Sequence, residues 1–402
     1  MTKKRSYGRT PDRRGGVQLK KPLERTVRQG HPWLFRDALA PFDAAPGATV
    51  RVLDRDGRFL AVGLAEAGPI GVRVFSLSDE PIDDALFNRR VREAFAARER
   101  IIDTRTTDAY RLIHGEGDAL PGFVCDRYGR FAVLKLDGDA ALAQRERMLR
   151  VLQQELPALG VAGLLVRSGK REDARVELAW GERPDTEIVV REHGMRLRTN
   201  LFEGQKTGLF LDHRESRARV RSLANGARVL NLYGYTGGFS VAAGLGGASE
   251  VTTVDIAKPA LALAAASWRD NDLPADKHRT LAADAIEHVT AAADGGERYE
   301  LVIADPPNFA PRESARESAC RAYEALHTAV LRMLAPGAHY LAASCSSHIT
   351  RADFEATLAA ASGRTRRRLH VLERSGAPAD HPKLLGFPEG DYLKVCLLRV
   401  AG

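Results

Sequence analysis

The stretch "ARVLNLYGYTGGFSVAAGLGGASEVTTVDI", Ala227 to Ile256, decides the fold. It opens as an apolar, β-compatible run and breaks at Gly234, Gly237 and Gly238. Small, helix-compatible residues follow, and a second β-rich run closes on Asp255. Strand, glycine turn, helix and strand in that order form a βαβ unit. The alternation continues through the helix "KPALALAAASWRDNDL", the strand "YELVIADPP", the helix "ARESACRAYEALHTAVLRML" and the strand "AHYLAASCSS". From about Arg196 the chain therefore reads as α/β, a doubly wound and mainly parallel sheet. Two closing segments, "RLHVLERSG" and "YLKVCLLRV", suit an antiparallel hairpin at its edge.

Upstream the pattern differs. From Val17 to about Leu77 the segments are short, β-rich and punctuated by turns, and Asp56-Gly57 joins two alternating runs as a hairpin. A helix is expected over about 83–103. A second α+β unit follows, with strands around "GFVCDRYGRFAVLKLD", the helix "ALAQRERMLRVLQQEL" and the strand "GLLVRS". The expected domains are a basic disordered tail over 1–16, a β-rich module over 17–82, an α+β unit over 83–195 and the βα sheet over 196–402.

At 402 residues, 44% hydrophobic and 28% charged, the chain has the composition of a soluble, multidomain protein. It has no apolar leader and no run near the ~20 residues that span a bilayer, so a cytoplasmic protein with no membrane partner is expected. Its four cysteines, Cys125, Cys320, Cys345 and Cys396, lie far apart without CxxC spacing, which argues against a metal site and a disulfide framework. Most of the net charge of +8 sits in residues 1–21, where eight Lys and Arg face the single acid Asp12. Such a tail suits attraction to phosphates, or solubility alone. Arg364, Arg366, Arg367 and Arg368 form a second basic group.

In doubly wound sheets, ligands bind beyond the carboxyl ends of the strands. Four such ends carry telling residues. The turn "NLYGYTGGFS" lets a ligand approach the backbone, but its G-x-x-G-G spacing is not the G-x-G-x-x-G of dinucleotide binders. Asp255 is placed to accept a ribose's two hydroxyls, and Asp284 in "LAADAIEHV" to meet an adenine amino group or to cap a helix. Asp305-Pro306-Pro307-Asn308-Phe309 ends a strand on two residues without amide donors, so an acid projects rigidly beside the ligand, with Phe309 available to stack on a flat substrate. A nucleoside-type cofactor and transfer of a group to a planar base are the chemistry expected.

These residues, with "RTVRQGHPWLFRDAL", "RLIHGEGDALPGFVCDRYG", "FEGQKTGLFLDHRESR", "VDIAKPALALA", "AASCSSHIT" and "DHPKLLGFPEGDYLK", resemble the bacterial 23S ribosomal RNA large-subunit methyltransferases of the cytosine-C5 type. The similarity covers nearly the whole chain from about Val17. It implies an N-terminal PUA domain, a small central domain and a Rossmann-like class I S-adenosylmethionine-dependent domain. By this resemblance Asn231, Tyr233, Gly234, Thr236, Gly237, Asp255, Asp284 and Asp305 surround S-adenosylmethionine. Gln205, Lys206, Thr207 and Phe210 close its pocket, where Asp212 and Arg214 pair. Pro306, Pro307, Asn308 and Phe309 face the substrate, large-subunit ribosomal RNA; a homodimer is left open.

The resemblance also makes Cys345 the nucleophile. C5 of cytosine is a poor nucleophile until a thiolate adds to C6, so surroundings that lower the thiol's pKa are expected. Cys125, Cys320 and Cys396 read as core residues. Two positions depart from the family pattern. Pro307 stands where many RNA cytosine-C5 enzymes carry a second cysteine, and Asn308 where close relatives often have lysine. The competing readings are a guanosine N-methyltransferase, which needs no cysteine, a uracil-C5 enzyme, and a non-catalytic RNA-binding assembly factor. A dehydrogenase is least favoured by the glycine spacing.

Overall fold

The computed structural model describes residues 16–169 and 175–401, so the tail expected over 1–16 lies, but for Gly16, outside the described residues. Contacts divide the chain into two compact units. One comprises residues 1–102, 110–183 and 380–390, the other 103–109, 184–379 and 391–402.

The first unit holds two five-stranded sheets. The N-terminal one is formed by β1 (Val17–Gln18), β2 (Trp33–Phe35), β3 (Thr49–Leu53), β4 (Phe59–Ala65) and β5 (Ile70–Ser76), in the order β1-β3-β4-β5-β2. The Asp56-Gly57 turn joins β3 to β4 as expected, with Gly57 at φ +75°. The second sheet runs β10-β9-β8-β7-β6, from β6 (Ala109–His114), β7 (Phe123–Tyr128), β8 (Phe131–Leu136), β9 (Gly163–Ser168) and β10 (Arg175–Gly181). Helix α1 is short (Glu24–Arg28); α2 (Asp84–Glu99) starts where Asp83 accepts a hydrogen bond from the Leu86 amide at 2.9 Å, and ends four residues before the expected boundary. Helices α3 (Asp139–Ala143) and α4 (Arg145–Glu155) complete the unit. Phe87, Val91 and Phe95 of α2 share one core with Leu149 and Leu152 of α4 and with Phe123 and Leu134 of the sheet.

The second unit pairs the hairpin β11 (Ile188–Glu192) and β12 (Met195–Thr199) with a seven-stranded sheet of order β15-β14-β13-β16-β17-β19-β18. After α5 (Arg214–Leu223) come β13 (Arg228–Leu232), α6 (Gly238–Leu245), β14 (Glu250–Asp255), α7 (Lys258–Asp270), β15 (His278–Ala282) and α8 (Ala285–Asp294). The remainder is β16 (Tyr299–Ala304), α9 (Arg316–Met333), β17 (Leu334–Ser344), α10 (Arg351–Thr365), β18 (Leu369–Ser375) and β19 (Lys394–Val400). Strands β13 to β17 are parallel, so both faces must be covered. Alternation divides the buried residues: Leu230, Val302 and Ala304 join α8, α9 and α10 on one face, and Val229, Leu301 and Ile303 join Val220, Phe239 and Trp268 on the other. The last two strands are antiparallel, as expected, yet they form no tight hairpin. Residues 376–393 intervene, and β19 lies inside β18, against β17.

Within that intervening stretch, residues 380–390 belong to the first unit. Arg98 holds them: its guanidinium grips both oxygens of Asp118 at 2.6 and 2.7 Å and donates to the Asp380 carbonyl at 2.7 Å. Arg98 is buried, so replacing it by Met leaves Asp118 uncompensated in a poorly solvated place. Arg98→Met is expected to cost about 3 kcal/mol in urea unfolding; a loss within experimental error would show that the pair contributes nothing.

Candidate active site

The order of the sheet reverses between β13 and β16, and the cleft at such a switch point is where ligands bind. Here a cavity of about 330 Å³ lies against the carboxyl ends of β13, β14, β16 and β17.

At the end of β13 the backbone winds tightly. Tyr233 and Tyr235 both take left-handed conformations, at φ +57° and +47°, which residues with a Cβ rarely occupy. Between them Gly234 donates to the Val254 carbonyl at 2.9 Å, and a Cβ there would lie 2.4 Å from Thr253 Cγ2. Gly237 begins α6 at φ +77°, pressed so close to α7 that a Cβ would sit 2.6 Å from that of Ala264. The glycines thus serve close packing as well as access. The Tyr235 amide donates to Asp255 Oδ2 at 2.8 Å and the Ala257 amide to Oδ1 at 2.8 Å. Each oxygen keeps lone-pair capacity for a hydroxyl. Ile256 beside it lines the cavity although 78% exposed, an apolar surface that suits the flat face of a purine.

The loop before α5 forms the opposite wall. The Gln205 amide donates to the Tyr235 hydroxyl at 2.7 Å, and that hydroxyl donates to the Gly208 carbonyl at 3.1 Å. Phe210 meets the Tyr235 ring edge-on at 5.3 Å. Lys206 Nζ lies 2.6 Å from Asp212 Oδ2 and 4.4 Å from the Phe210 ring centre, and Tyr392 donates to the same Asp212 oxygen at 2.7 Å. Asp212, expected to pair with Arg214, is met by Lys206 and Tyr392, and Arg214 donates to Glu215 at 3.0 Å.

Beyond β16 stand Asp305, Pro306 and Pro307, all in the cavity wall. His213 Nε2 is 3.0 Å from Asp305 Oδ2, whereas Asp305 Oδ1 is buried with no hydrogen-bond partner among the described residues. Cys345, one residue past β17, joins the same wall, with Sγ 4.0 Å from the Pro306 carbonyl. Its environment differs from the one expected. Burial, then the neighbouring carboxylate of Asp305, push the thiol up to about 11, against the pull of Lys206 and Lys394. Lys394 is buried, donating to the Ser346 carbonyl at 2.6 Å and the Tyr392 carbonyl at 2.8 Å. Burial lowers its pKa to about 8.

Of the residues expected from the sequence, Gln205, Lys206, Phe210, Asp212, Tyr233, Gly234, Thr236, Asp255, Asp305, Pro306, Pro307 and Cys345 line this one cavity. Thr207, Arg214, Asn231, Gly237, Asp284, Asn308 and Phe309 stand outside its wall. Asn231 is buried and donates to Ser240 at 2.9 Å. Asp284 caps α8, its Oδ1 accepting from the Ile286 and Glu287 amides at 2.9 Å each. Phe309, expected to stack on a substrate, instead packs on Tyr323 at 4.9 Å in the sheet's core. Cys125 and Cys396 are buried in strands and Cys320 is half-buried in α9, as expected. Two of the four basic residues near α10 are held internally: Arg364 pairs with Glu324, and Arg367 donates to the Leu334 carbonyl. Tyr235, His213, Ile256 and Lys394 were not anticipated.

The donor set fits S-adenosylmethionine: a carboxylate with spare acceptors, an exposed apolar platform beside it, and a backbone turn that admits no Cβ at Gly234.

Comparison with known proteins agrees. Residues 143–398 match the family described as S-adenosylmethionine-dependent methyltransferase, and residues 17–77 match a PUA-like domain. The chain is 37% identical to a ribosomal RNA large subunit methyltransferase of Deinococcus radiodurans, over 96% of this chain and 97% of that one. It is 35% identical to ribosomal RNA large subunit methyltransferase I of Cronobacter sakazakii, over 94% and 97%. Among solved structures, a SAM-dependent methyltransferase from Streptococcus mutans superposes with a TM-score of 0.86 at 24% identity, covering 95% of this chain and 99% of that one. Another, at the same TM-score, identity and coverage, is a methyltransferase complexed with SAH.

The charges around Cys345 set its reactivity in opposite directions, which alkylation by iodoacetamide reads directly, because only the thiolate reacts. Asp305 raises the thiol's pKa, so Asp305→Asn is expected to lower it and speed alkylation. Lys394 lowers it, so Lys394→Met should slow alkylation, chiefly below about pH 8 where the ammonium is charged. Equal rates in all three proteins would remove these charges from the account of the thiol.

Proposed function

Because the chain belongs to the S-adenosylmethionine-dependent methyltransferase family, in company with the ribosomal RNA large subunit methyltransferases, we propose that it forms 5-methylcytosine in large-subunit ribosomal RNA through a bond between Cys345 and C6 of the base. One observation carries the reading. Among the chain's four cysteines, only Cys345 lies in the wall of the cavity that holds Asp255, Tyr235 and Asp305.

In this reading Gly234, Tyr235, Thr236, Asp255 and Ile256 hold the cofactor, under the loop of Gln205, Lys206 and Phe210. S-adenosylmethionine supplies an electrophilic methyl group and a sulfonium charge. Cys345, deprotonated, attacks C6; the C5–C6 π bond opens, and electron density collects at C5 and on the N3–C4 edge. Asp305 holds that edge through its carboxylate. C5 would take the methyl group as the sulfonium carbon–sulfur bond breaks and S-adenosylhomocysteine leaves; the C5 proton would pass to a base, and the returning electron pair would restore the C5–C6 double bond and expel Cys345 as thiolate. The prolines after Asp305 keep the acid from swinging away, since neither can extend the ladder. The PUA-like module and the basic N-terminal residues are suited to RNA phosphates.

A second reading, methylation of a guanosine nitrogen with no covalent intermediate, draws on the raised pKa of the Cys345 thiol, which leaves little thiolate at neutral pH in the unliganded cavity. One experiment separates them. Purified protein is incubated with isotopically labelled S-adenosylmethionine and protein-free large-subunit ribosomal RNA, and the labelled nucleoside is identified by mass spectrometry. Label in 5-methylcytidine, falling by about three orders of magnitude in Cys345→Ala, is expected. Label in a guanosine that persists in the variant would discard the cysteine's role and leave the cofactor site intact.

A further inference from the structure

His213 is an ionisable side chain in the cavity wall that the reaction above leaves without a task, and it stands against Asp305. It ends a short 3-10 turn, Leu211–His213, that leads into α5, and its side chain is only 3% exposed. Nε2 meets Asp305 Oδ2 at 3.0 Å, while Nδ1 is buried with no hydrogen-bond partner among the described residues. A proton on Nδ1 alone would be stranded there and would set two lone pairs, Nε2 and the carboxylate, against each other. A hydrogen on Nε2 lies instead beside Asp305 Oδ2, at the 3.0 Å contact. Phe239 packs against the ring at 5.4 Å.

The same carboxylate carries a second unsatisfied atom. Asp305 Oδ1 is buried with no hydrogen-bond partner among the described residues, and the residue itself stands in the cavity wall. A carboxylate's terminal torsion is broad and roughly two-fold, so a lone aspartate could turn either oxygen toward a ligand, or turn both away. Only a fixed donor on Oδ2 defines which oxygen is presented. The direction also matters for Cys345, whose thiol feels the Asp305 charge.

We propose that His213 is a positioning residue for methyl transfer: its Nε2–H holds Asp305 at Oδ2 and so sets how the carboxylate meets the amino edge of the target base. This rests on the reading of Asp305 as the group that holds the base. His213 does not touch the reacting atoms; it acts through the carboxylate.

The test compares three substitutions in the full chain, with S-adenosylmethionine and ribosomal RNA as substrates. In His213→Gln the side-chain amide nitrogen reaches the place of Nε2 and keeps a donor for Asp305. In His213→Asn the amide falls short, and His213→Phe fills the volume with no donor. The Gln variant is expected to keep kcat within about threefold, and the Asn and Phe variants to lose about a hundredfold, the usual effect of a misplaced reacting group. KM for S-adenosylmethionine should stay within about threefold in all three. In the pair His213→Phe/Asp305→Asn the loss should be no larger than in Asp305→Asn alone.

Calorimetric binding of S-adenosylhomocysteine shows which variants are folded; if Phe fails, the Gln and Asn pair still decides. A Phe or Asn variant with near-normal kcat overturns the proposal, as does a loss equal in Gln, Asn and Phe. A change confined to KM for S-adenosylmethionine also overturns it, because His213 would then belong to the cofactor's wall alone. Failure of the covalent cytosine reading shows elsewhere, in the identity of the nucleoside labelled by the wild type and in the activity of Cys345→Ala.

Discussion

The second unit's site depends on one constraint: strand β16 cannot continue past Ala304. Pro306 and Pro307 have no amide hydrogens, so the ladder with β13 and β17 stops at Ala304 and the chain turns out over the sheet's carboxyl edge. Asp305 is left at the stop, between two neighbouring strand ends. The Pro306 carbonyl, unused by the sheet, comes to 4.0 Å from Cys345 Sγ at the end of β17. The turn after β13, with two tyrosines in left-handed conformations, sits on the other side. An ordinary strand end would allow the acid to drift; here backbone chemistry and sheet register fix it together.

The electrostatics of the cavity follow from crowding unlike groups where water is scarce. A carboxylate that binds an amino edge must be partly desolvated to be selective, yet the same charge opposes a thiolate nearby. Burial first, and that charge second, raise the pKa of Cys345. Lys206 and Lys394 answer it from two directions, Lys206 in the loop before α5 and Lys394 at the start of β19. Lys394 is held by the carbonyl groups of Ser346 and Tyr392, the first of them next to Cys345 in the chain. Its charge is therefore delivered by the same bonds that hold the turn. A cysteine with a high resting pKa is protected from adventitious oxidation and alkylation, since the thiolate is the reactive form.

Much of this was legible in the sequence because it is local. Alternation of β-rich and helical runs gave the sheet, and the glycine turn, Asp255, Asp305 and Cys345 each close a strand whose apolar residues announce it. What escaped was set by contacts between distant segments. His213 sits in the middle of "FLDHRES", flanked by an acid and a base that drew the attention, and nothing in that string says that its ring reaches the end of β16. Lys394 lies in a strand pattern where a lysine reads as solvent-facing; its burial arises because β19 is inserted between β17 and β18 instead of forming the sheet's edge. Asn231 and Phe309 lie beside the site with other partners: Asn231 is buried and bonded to Ser240, and half-buried Phe309 packs on Tyr323.

Asp284 shows why position alone does not assign a ligand. It ends the loop after β15, where an acid could meet a purine's amino group, and it also precedes a helix. The helix wins one oxygen: Oδ1 accepts from two amides of α8, leaving Oδ2 and the residue outside the cavity wall. Asp255 is bonded to backbone in the same way, yet its two amide contacts are divided between its oxygens and turn the carboxylate toward the cavity. The difference lies in which amides hold each acid. Amides of its own helix draw a carboxylate back over the helix axis, whereas an amide from a neighbouring strand's turn, that of Tyr235, pulls it across the cleft. Two acids of similar spacing and sequence context are thereby separated into a cap and a cavity-wall acceptor by the strained backbone after β13.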